Sequence, residues 1–298
     1  MLSECAQAQL AGVADIVLDR ASASAAQFGC PAFGSHVELK GKVDAAIVAV
    51  PTSAHADVAC DLMESGVDVL VEKPIAPDRV QAERLIATAE RHGRLLMVGH
   101  LERFNPAVMA LKKVVSRPLF FEIHRLSLFS PRSLDIDVVL DLMIHDLDIV
   151  LDMVGSAPEE VRAAGISILS GKVDIANVRL AFSTGCVANL TASRVSTERI
   201  RKLRLFQPSE YVSLDYSRQE GAVFSVSGGQ KIDFRTLPVE KSEPLKVEVE
   251  HFLDCVATRR TPLVSGRDGL RALDAALSIL AKIEEHAELV ADQLKSRP

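Results

Sequence analysis

Short, unbroken apolar runs alternate with helical stretches through the first hundred residues. Residues 45–50, 69–71 and 95–98 are such runs, and a turn signal follows each of the first two. Runs of this kind predict strands buried on both faces of a parallel sheet. Between them, residues 55–65 and 78–91 carry apolar positions at helical spacing. An earlier strand is predicted over 14–19 with a helix over 21–28, and a first helix over 3–10. Strands alternating with helices make βαβ units, whose right-handed crossovers bring successive strand ends to one edge. Asp19, Thr52, Lys73 and His100 fall at that edge.

Residues 104–115 predict one more helix, and beyond residue 119 the pattern changes. Residues 120–126, 161–169, 176–182, 187–193, 202–206, 211–216 and 222–226 read as strands, several alternating polar with apolar. A long apolar helix is predicted over 138–153, and two more close the chain over 245–257 and 270–289. Alternating strands joined by short turns predict a mostly antiparallel sheet with helices on one face. The expected fold class is therefore α/β, in two parts. A Rossmann-like parallel-sheet domain spans 1–117 and lacks its first strand. An α+β domain with a mostly antiparallel sheet spans 118–298, with the site between the two.

Composition narrows the function more than the fold. Hydrophobic residues make up 48% of the 298 and charged residues 25%, ordinary for a chain with a sizeable core. The formal net charge of −6 argues against nucleic-acid binding, which rests on many phosphate contacts. No run of about 18 apolar residues occurs to span a membrane. Five cysteines without CxxC spacing predict neither a disulfide framework nor a metal site, and point to a reducing cytoplasm. The amino terminus shows no basic region leading into an apolar signal segment.

Two stretches carry chemistry. Val69-Leu70-Val71 runs directly into Glu72-Lys73-Pro74, so a charged pair sits just past a buried strand, where open α/β sheets bind ligands. Pro74 fixes φ and donates no N–H, which helps hold both side chains in one direction. A surface salt bridge at a strand end is the plainer reading. The second stretch is Asp141-Leu142-Met143-Ile144-His145, which sets a carboxylate and an imidazole at i and i+4 on one helix face. A carboxylate there orients the ring and raises its basicity, as a general base requires. A buried polar pair at a helix interface is the alternative. Asp146 and Asp148 lie off that face and are expected to cap or solvate. Together the two stretches suit alcohol oxidation: His145 takes the hydroxyl proton, hydride passes to a nicotinamide, and Lys73 stabilises the developing alkoxide. An acidic residue ending an early strand, here Asp19, suits the adenosine ribose hydroxyls.

A dinucleotide fold opens with a strand and G-x-G-x-x-G, and neither precedes the strand ending in Asp19. That strand would bury about six apolar side chains at roughly 1.5–3 kcal/mol each. This is on the order of a whole domain's stability, ~5–15 kcal/mol. The expectation is that the true start lies about 25–35 residues upstream of Met1.

Glu72-Lys73-Pro74, the turn Pro51-Thr52-Ser53-Ala54-His55, and Asp141 with His145 together resemble the Gfo/Idh/MocA family of NAD(P)-dependent sugar oxidoreductases. The resemblance covers nearly all of the chain apart from the missing start. It implies Lys73, Asp141 and His145 as the catalytic group. It implies Asp19, Arg20, Pro51, Thr52, His55, Glu72 and Lys73 as cofactor contacts, with no metal. Gly99-His100-Leu101-Glu102-Arg103-Phe104-Asn105-Pro106-Ala107 and Ser193-Arg194-Val195-Ser196, leading to Arg201-Lys202-Leu203-Arg204, resemble the branch acting on nucleotide-activated amino sugars. That branch implies oxidation of the C3 hydroxyl of UDP-N-acetylglucosamine to a ketone. Arg103, Asn105, His145, Arg194 and Arg201 would then touch the substrate, arginines suiting its diphosphate. Basic residues alternating on an exposed strand are the plainer account of the second cluster. Asp19 would repel a 2′-phosphate and Arg20 attract one, and the balance favours NAD over NADP. Alternatives are an inositol or simple sugar dehydrogenase of the same family, a non-catalytic cofactor-sensing relative, and a truncated, inactive product. A homodimer or homotetramer through the antiparallel sheet is expected, because a broad open face needs a cover.

Overall fold

The computed structural model describes residues 2–130, 136–227 and 231–295. It contains two compact units, Met1–His100 with Leu245–Leu270, and Leu101–Pro244 with Arg271–Pro298. The sequence alone suggested one division at 117/118; here the chain leaves the first unit at His100 and returns to it at Leu245.

In the first unit, β1 (Val13–Ala14) leads into α1 (Leu18–Phe28) and β2 (Ala32–Phe33). β3 (Ala45–Val48), α2 (His55–Glu64), β4 (Asp68–Glu72), α3 (Arg79–His92) and β5 (Leu96–Gly99) follow. All pairings are parallel, but they form two sheets: β1 with β2, and β3-β4-β5. In the 3-2-1-4-5-6 order of a dinucleotide fold, one strand lies between these two groups. β4 is central in its sheet, and Val69, Leu70 and Val71 are fully buried. Asp78 caps α3 by accepting the Gln81 N–H at 2.9 Å, and Gly93 closes it in the left-handed region at φ 61°.

Two expectations fail in this unit. Residues 3–10 form no helix beyond a single 3-10 turn, Leu2–Glu4, because so short a stretch cannot hold a helix without packing. The predicted strand over 14–19 ends at Ala14, and residues 18–28 are already helix. Ile16, Val17 and Leu18 look β-like in sequence, yet Ile16 is 92% exposed and the other two are exposed as well.

In the second unit, Asn105 caps α4 (Pro106–Lys112) with Pro106 in its first turn. β6 (Phe120–Leu128) comes next, and a π-helical turn, Val139–Met143, runs into α5 (Ile144–Val154). The strands β7 (Glu160–Ile166), β8 (Ile175–Ala181), β9 (Val187–Ser196) and β10 (Ile200–Gln207) follow. β11 (Glu210–Asp215), β12 (Glu220–Ser227) and β13 (Lys231–Thr236) complete the series. The sheet order is β13-β12-β11-β10-β6-β9-β8-β7, antiparallel throughout except for β6 beside β9. β13, at the sheet edge, was not anticipated, although Lys231-Ile232-Asp233-Phe234-Arg235 alternates polar with apolar. The chain then forms α6 (Pro244–Thr258) in the first unit and α7 (Gly266–Lys295), within which the division at Leu270 falls.

The inward face of this sheet, with Ile123, Leu190, Leu203, Leu205, Val212 and Leu214, packs against Val139, Met143, Leu147 and Ile279. The opposite face carries a row of rings: Phe120, Phe206, Tyr211, Phe224 and Phe234. Successive centroids are 5.8, 4.9, 5.4 and 5.1 Å apart. Such pairs add about 0.5–1.5 kcal/mol each beyond their area.

The turn between β7 and β8 is organised by Asp174, which is fully buried. Its carboxylate accepts N–H groups from Ile168, Leu169 and Ser170 at 2.7, 2.6 and 3.0 Å, and the Ser170 hydroxyl at 2.6 Å. Burial acts to raise its pKa, but the Ser170 hydroxyl and the three N–H donors outweigh this and hold it well below the carboxylate range. A depressed folded pKa gives stability that is present above the unfolded value and lost as pH falls. Asp174→Asn should therefore lower stability at neutral pH by about 1–3 kcal/mol in urea unfolding, and flatten the loss of stability below about pH 4.

Candidate active site

At the carboxyl end of the parallel strands, each functional side chain is fixed by its strand or the turn after it. β4 ends in Glu72, whose Oε2 accepts the Lys73 N–H at 3.2 Å. Its register partner on β5 is Gly99, and a Cβ there would lie 3.1 Å from Glu72 Oε2. Glu72 thus lies over the one residue type that leaves it room. Lys73 is half-buried, and the Lys73–Pro74 peptide is cis. Thr52 opens the one-turn helix after β3 and is half-buried, while Pro51 before it is exposed. His100, directly after β5, is buried.

His55 does not present itself to a ligand. It is buried, with Nδ1 3.0 Å from the Pro74 carbonyl and Nε2 2.9 Å from the Val50 carbonyl. It staples the ends of β3 and β4 together and so acts on the site from behind. Asp19 and Arg20 also need correction. They sit in the first turn of α1, exposed, five and six residues past the end of β1, the strand that Asp19 was expected to end. The acid at the strand end is Asp15: its N–H pairs with the Phe33 carbonyl at 3.1 Å, and its Oδ1 accepts the Val17 N–H at 2.7 Å. The small apolar run Ala11-Gly12-Val13-Ala14 ending in Asp15 was the signal, masked by the apolar residues after it.

In the second unit, Asp141 lies within the π-helical turn and His145 in the first turn of α5, both half-buried. The wider turn keeps residues four apart on nearly one line, and single π turns concentrate at functional sites. What holds this helix is a buried ionic cluster that sequence reasoning missed. Arg125 on β6 is fully buried, with Nε 2.7 Å and Nη2 2.9 Å from the two Asp146 oxygens. Its Nη1 donates to Glu102 Oε1 at 2.9 Å, and its guanidinium lies 5.4 Å from the Tyr216 ring centroid. Burial opposes the charge on Arg125, but Asp146 more than restores it and pushes its pKa up. Asp146 and Asp148, expected to solvate, are both buried.

The expected substrate contacts divide accordingly. Arg103 is only 4% exposed and pairs with Asp148 at 3.4 Å and Asp152 at 2.8 Å. Asn105 is buried; its Oδ1 accepts the Ala107 N–H at 3.1 Å, and its Nδ2 donates to Glu102 at 3.0 Å and to the Tyr216 carbonyl at 3.2 Å. Arg194 is buried, donating to the Ile136 carbonyl and lying 3.7 Å from Asp174. These three are structural, because their polar groups are already committed inside the unit. Arg201 differs: its side chain is 35% exposed and its guanidinium lies 3.5 Å from Glu102. It stands opposite Arg125 in register, and burial together with that neighbouring charge lowers its pKa.

A profile of the oxidoreductase family with an NAD-binding Rossmann fold matches residues 1–100, and one of the GFO/IDH/MocA C-terminal domain matches 126–206. The chain belongs to this family of NAD-binding oxidoreductases. It is 39% identical over 285 residues to UDP-N-acetylglucosamine 3-dehydrogenase of Acidithiobacillus ferrooxidans, covering 93% of this chain and 90% of that one. A solved structure of that enzyme matches with a TM-score of 0.89 at 38% identity, covering the same shares of the two chains. Inositol 2-dehydrogenase of Rhizobium meliloti is 25% identical over 305 residues, covering 95% and 92%.

NAD fits the residues described. Asp15 suits the adenosine ribose, and Thr52, Glu72 and Lys73 suit the nicotinamide end of the dinucleotide. Gly12 is the one glycine before β1, so that stretch supplies no glycine-rich phosphate turn.

Replacing Arg125 with alanine should strand Asp146 and Glu102 as buried charges and cost about 3–5 kcal/mol in urea unfolding, as for other broken buried pairs.

Proposed function

We propose that this protein oxidises a secondary hydroxyl of a nucleotide-activated sugar, with C3 of UDP-N-acetylglucosamine as the favoured position. The placement of Asp141 and His145 about one turn apart on a widened helix carries the reading, because a carboxylate and an imidazole at that spacing suit a general base. His145 removes the hydroxyl proton as the carbon gives up its hydride, and Lys73 hydrogen-bonds the oxygen as it gains negative charge. NAD, when bound, would supply the hydride acceptor, so that the alcohol would become a ketone with its hydroxyl proton held on His145. Asp141 orients the ring. Asp15 holds the ribose hydroxyls and disfavours a 2′-phosphate, which supports NAD over NADP.

The likeness to UDP-N-acetylglucosamine 3-dehydrogenase supports this choice of sugar over inositol. Arg201, half-buried, is the most accessible of the three candidate arginines, and it takes the diphosphate. No helix among the described residues is long and apolar enough to cross a membrane. Lys73→Ala and His145→Ala should each lower kcat by about 10²–10⁴-fold with the fold retained. Absorbance of NADH with UDP-N-acetylglucosamine and with myo-inositol checks both the residues and the sugar. Turnover of myo-inositol alone would overturn the substrate.

The ringed face of the eight-stranded sheet is the docking face for a second copy. Eight strands about 4.8 Å apart and seven residues long at about 3.3 Å each give a face near 800 Å², the share per partner of a standard interface. Phe234 is 61% exposed there, and Glu122 pairs with Arg204 at 2.8 Å, so the face offers both charges to its own image. Phe206→Glu with Phe234→Glu should yield monomers in sedimentation equilibrium; an unchanged mass would exclude this face.

A further inference from the structure

Within the first unit, the loop 259–265 between α6 and α7 is laid against the flank of β5 that β4 leaves open. The Val98 N–H donates to the Val264 carbonyl at 3.1 Å, and Ser265 bridges antiparallel to Met97. Arg259 anchors the start of the loop to Asp68 and, at 2.9 Å, to the Gly93 carbonyl. At its centre the Leu263 N–H donates to Nε2 of His251, on α6, at 2.9 Å. A backbone N–H can only donate, so this bond exists only while Nε2 carries no hydrogen.

We infer that His251 is an acid-sensitive latch for this loop: with Nε2 bare it holds Leu263, and so keeps the Val264 carbonyl on β5, and with Nε2 protonated it lets go. In the imidazolium both ring nitrogens donate, so the new hydrogen would point at the Leu263 N–H. The surroundings set the ring against that charge. Arg260 Nη2 lies 3.3 Å from Nδ1, and Cys255 Sγ, a weak hydrogen-bonding group, lies 3.4 Å from Nε2. Asp254 favours the charged ring, but it is already paired with Arg260. Of the other cations on this segment, Arg259 is committed to Asp68 and Arg267 to Glu90. Burial, and then Arg260, hold the His251 pKa below the ordinary histidine value. A depressed folded pKa gives stability that is present above the unfolded value, about 6.5, and lost as pH falls. Acid therefore opens the latch. β5 ends in Gly99, the residue that leaves room for Glu72, so the release reaches the cofactor end of the sheet. That last step rests on the reading of Glu72 as an NAD contact.

The test follows hydrogen exchange of the Leu263 and Val98 amides, corrected for their intrinsic pH dependence, in the wild-type chain and two variants. His251→Gln keeps an acceptor and does not titrate, whereas His251→Leu has no acceptor. Between about pH 7.5 and pH 5.5, wild-type protection of both amides should fall about fivefold, the size of one ordinary hydrogen bond. His251→Gln should stay within about twofold over the same range, and His251→Leu should start low and stay there. Nitrogen-15 spectra of the wild-type imidazole need no variant: Nε2 should be bare at the upper pH and gain its hydrogen in step with the loss of Leu263 protection. A hydrogen already on Nε2 at the upper pH, or equal loss of protection in wild type and His251→Gln, overturns the inference. NAD affinity measured alongside should weaken with acid more in the wild type than in His251→Gln. A latch that opens while NAD affinity does not follow would uphold the role of His251 and refute Glu72 as a cofactor contact.

Discussion

One buried guanidinium fixes where the acid–imidazole helix can sit. Arg125 grips both oxygens of Asp146, the residue directly after His145, and reaches Glu102 with its remaining edge. Removing such charges from water costs several kcal/mol per ion, so the arrangement stands only while every partner is in place. This makes the cluster a device of geometry more than of net stability. A helix held by apolar packing alone could slide by a fraction of a turn at modest cost. A helix held by a two-pronged ion pair cannot, and His145 inherits that precision.

The parallel-sheet unit reaches comparable definition by different means. There the chain relies on what is missing from Gly99 and on the His55 bridge between the Val50 and Pro74 carbonyls. Asp68 works at the opposite end of β4, accepting the Leu95 N–H at 2.8 Å and pairing with Arg259 just beyond α6. The returning segment 245–270 is therefore tied to the same strand whose far end carries Glu72 and Lys73. Gly269 packs where a Cβ would meet Val98 and Ile75 at 2.7 and 3.3 Å, so α7 begins in close contact with that strand pair.

Much of this was legible from the sequence wherever burial and pattern agree. Val69-Leu70-Val71 is apolar because it is covered on both faces, and the alternation in β6, β8 and β10 reflects one covered face and one open face. The acid–imidazole spacing survives the π turn because four residues still make about one turn. What misled was hydrophobicity without burial. Ile16, Val17 and Leu18 are apolar yet exposed, and they pulled the strand end from Asp15 to Asp19. Charge without exposure misled in the opposite sense. Arg103, Asn105 and Arg194 carry groups that bind phosphates elsewhere, but their partners are Asp148, Glu102 and Asp174, separated in sequence by 45, 3 and 20 residues. Nothing local to a sequence window announces such pairings when one partner comes from another element.

The clasp around Asp174 has a consequence for how freely the β7–β8 turn can change. Its carboxylate takes the backbone N–H groups of Ile168 and Leu169, while the side chains of both residues are exposed. The loop therefore holds its shape through one acid, and its outer positions can drift in identity while residue 174 stays an aspartate.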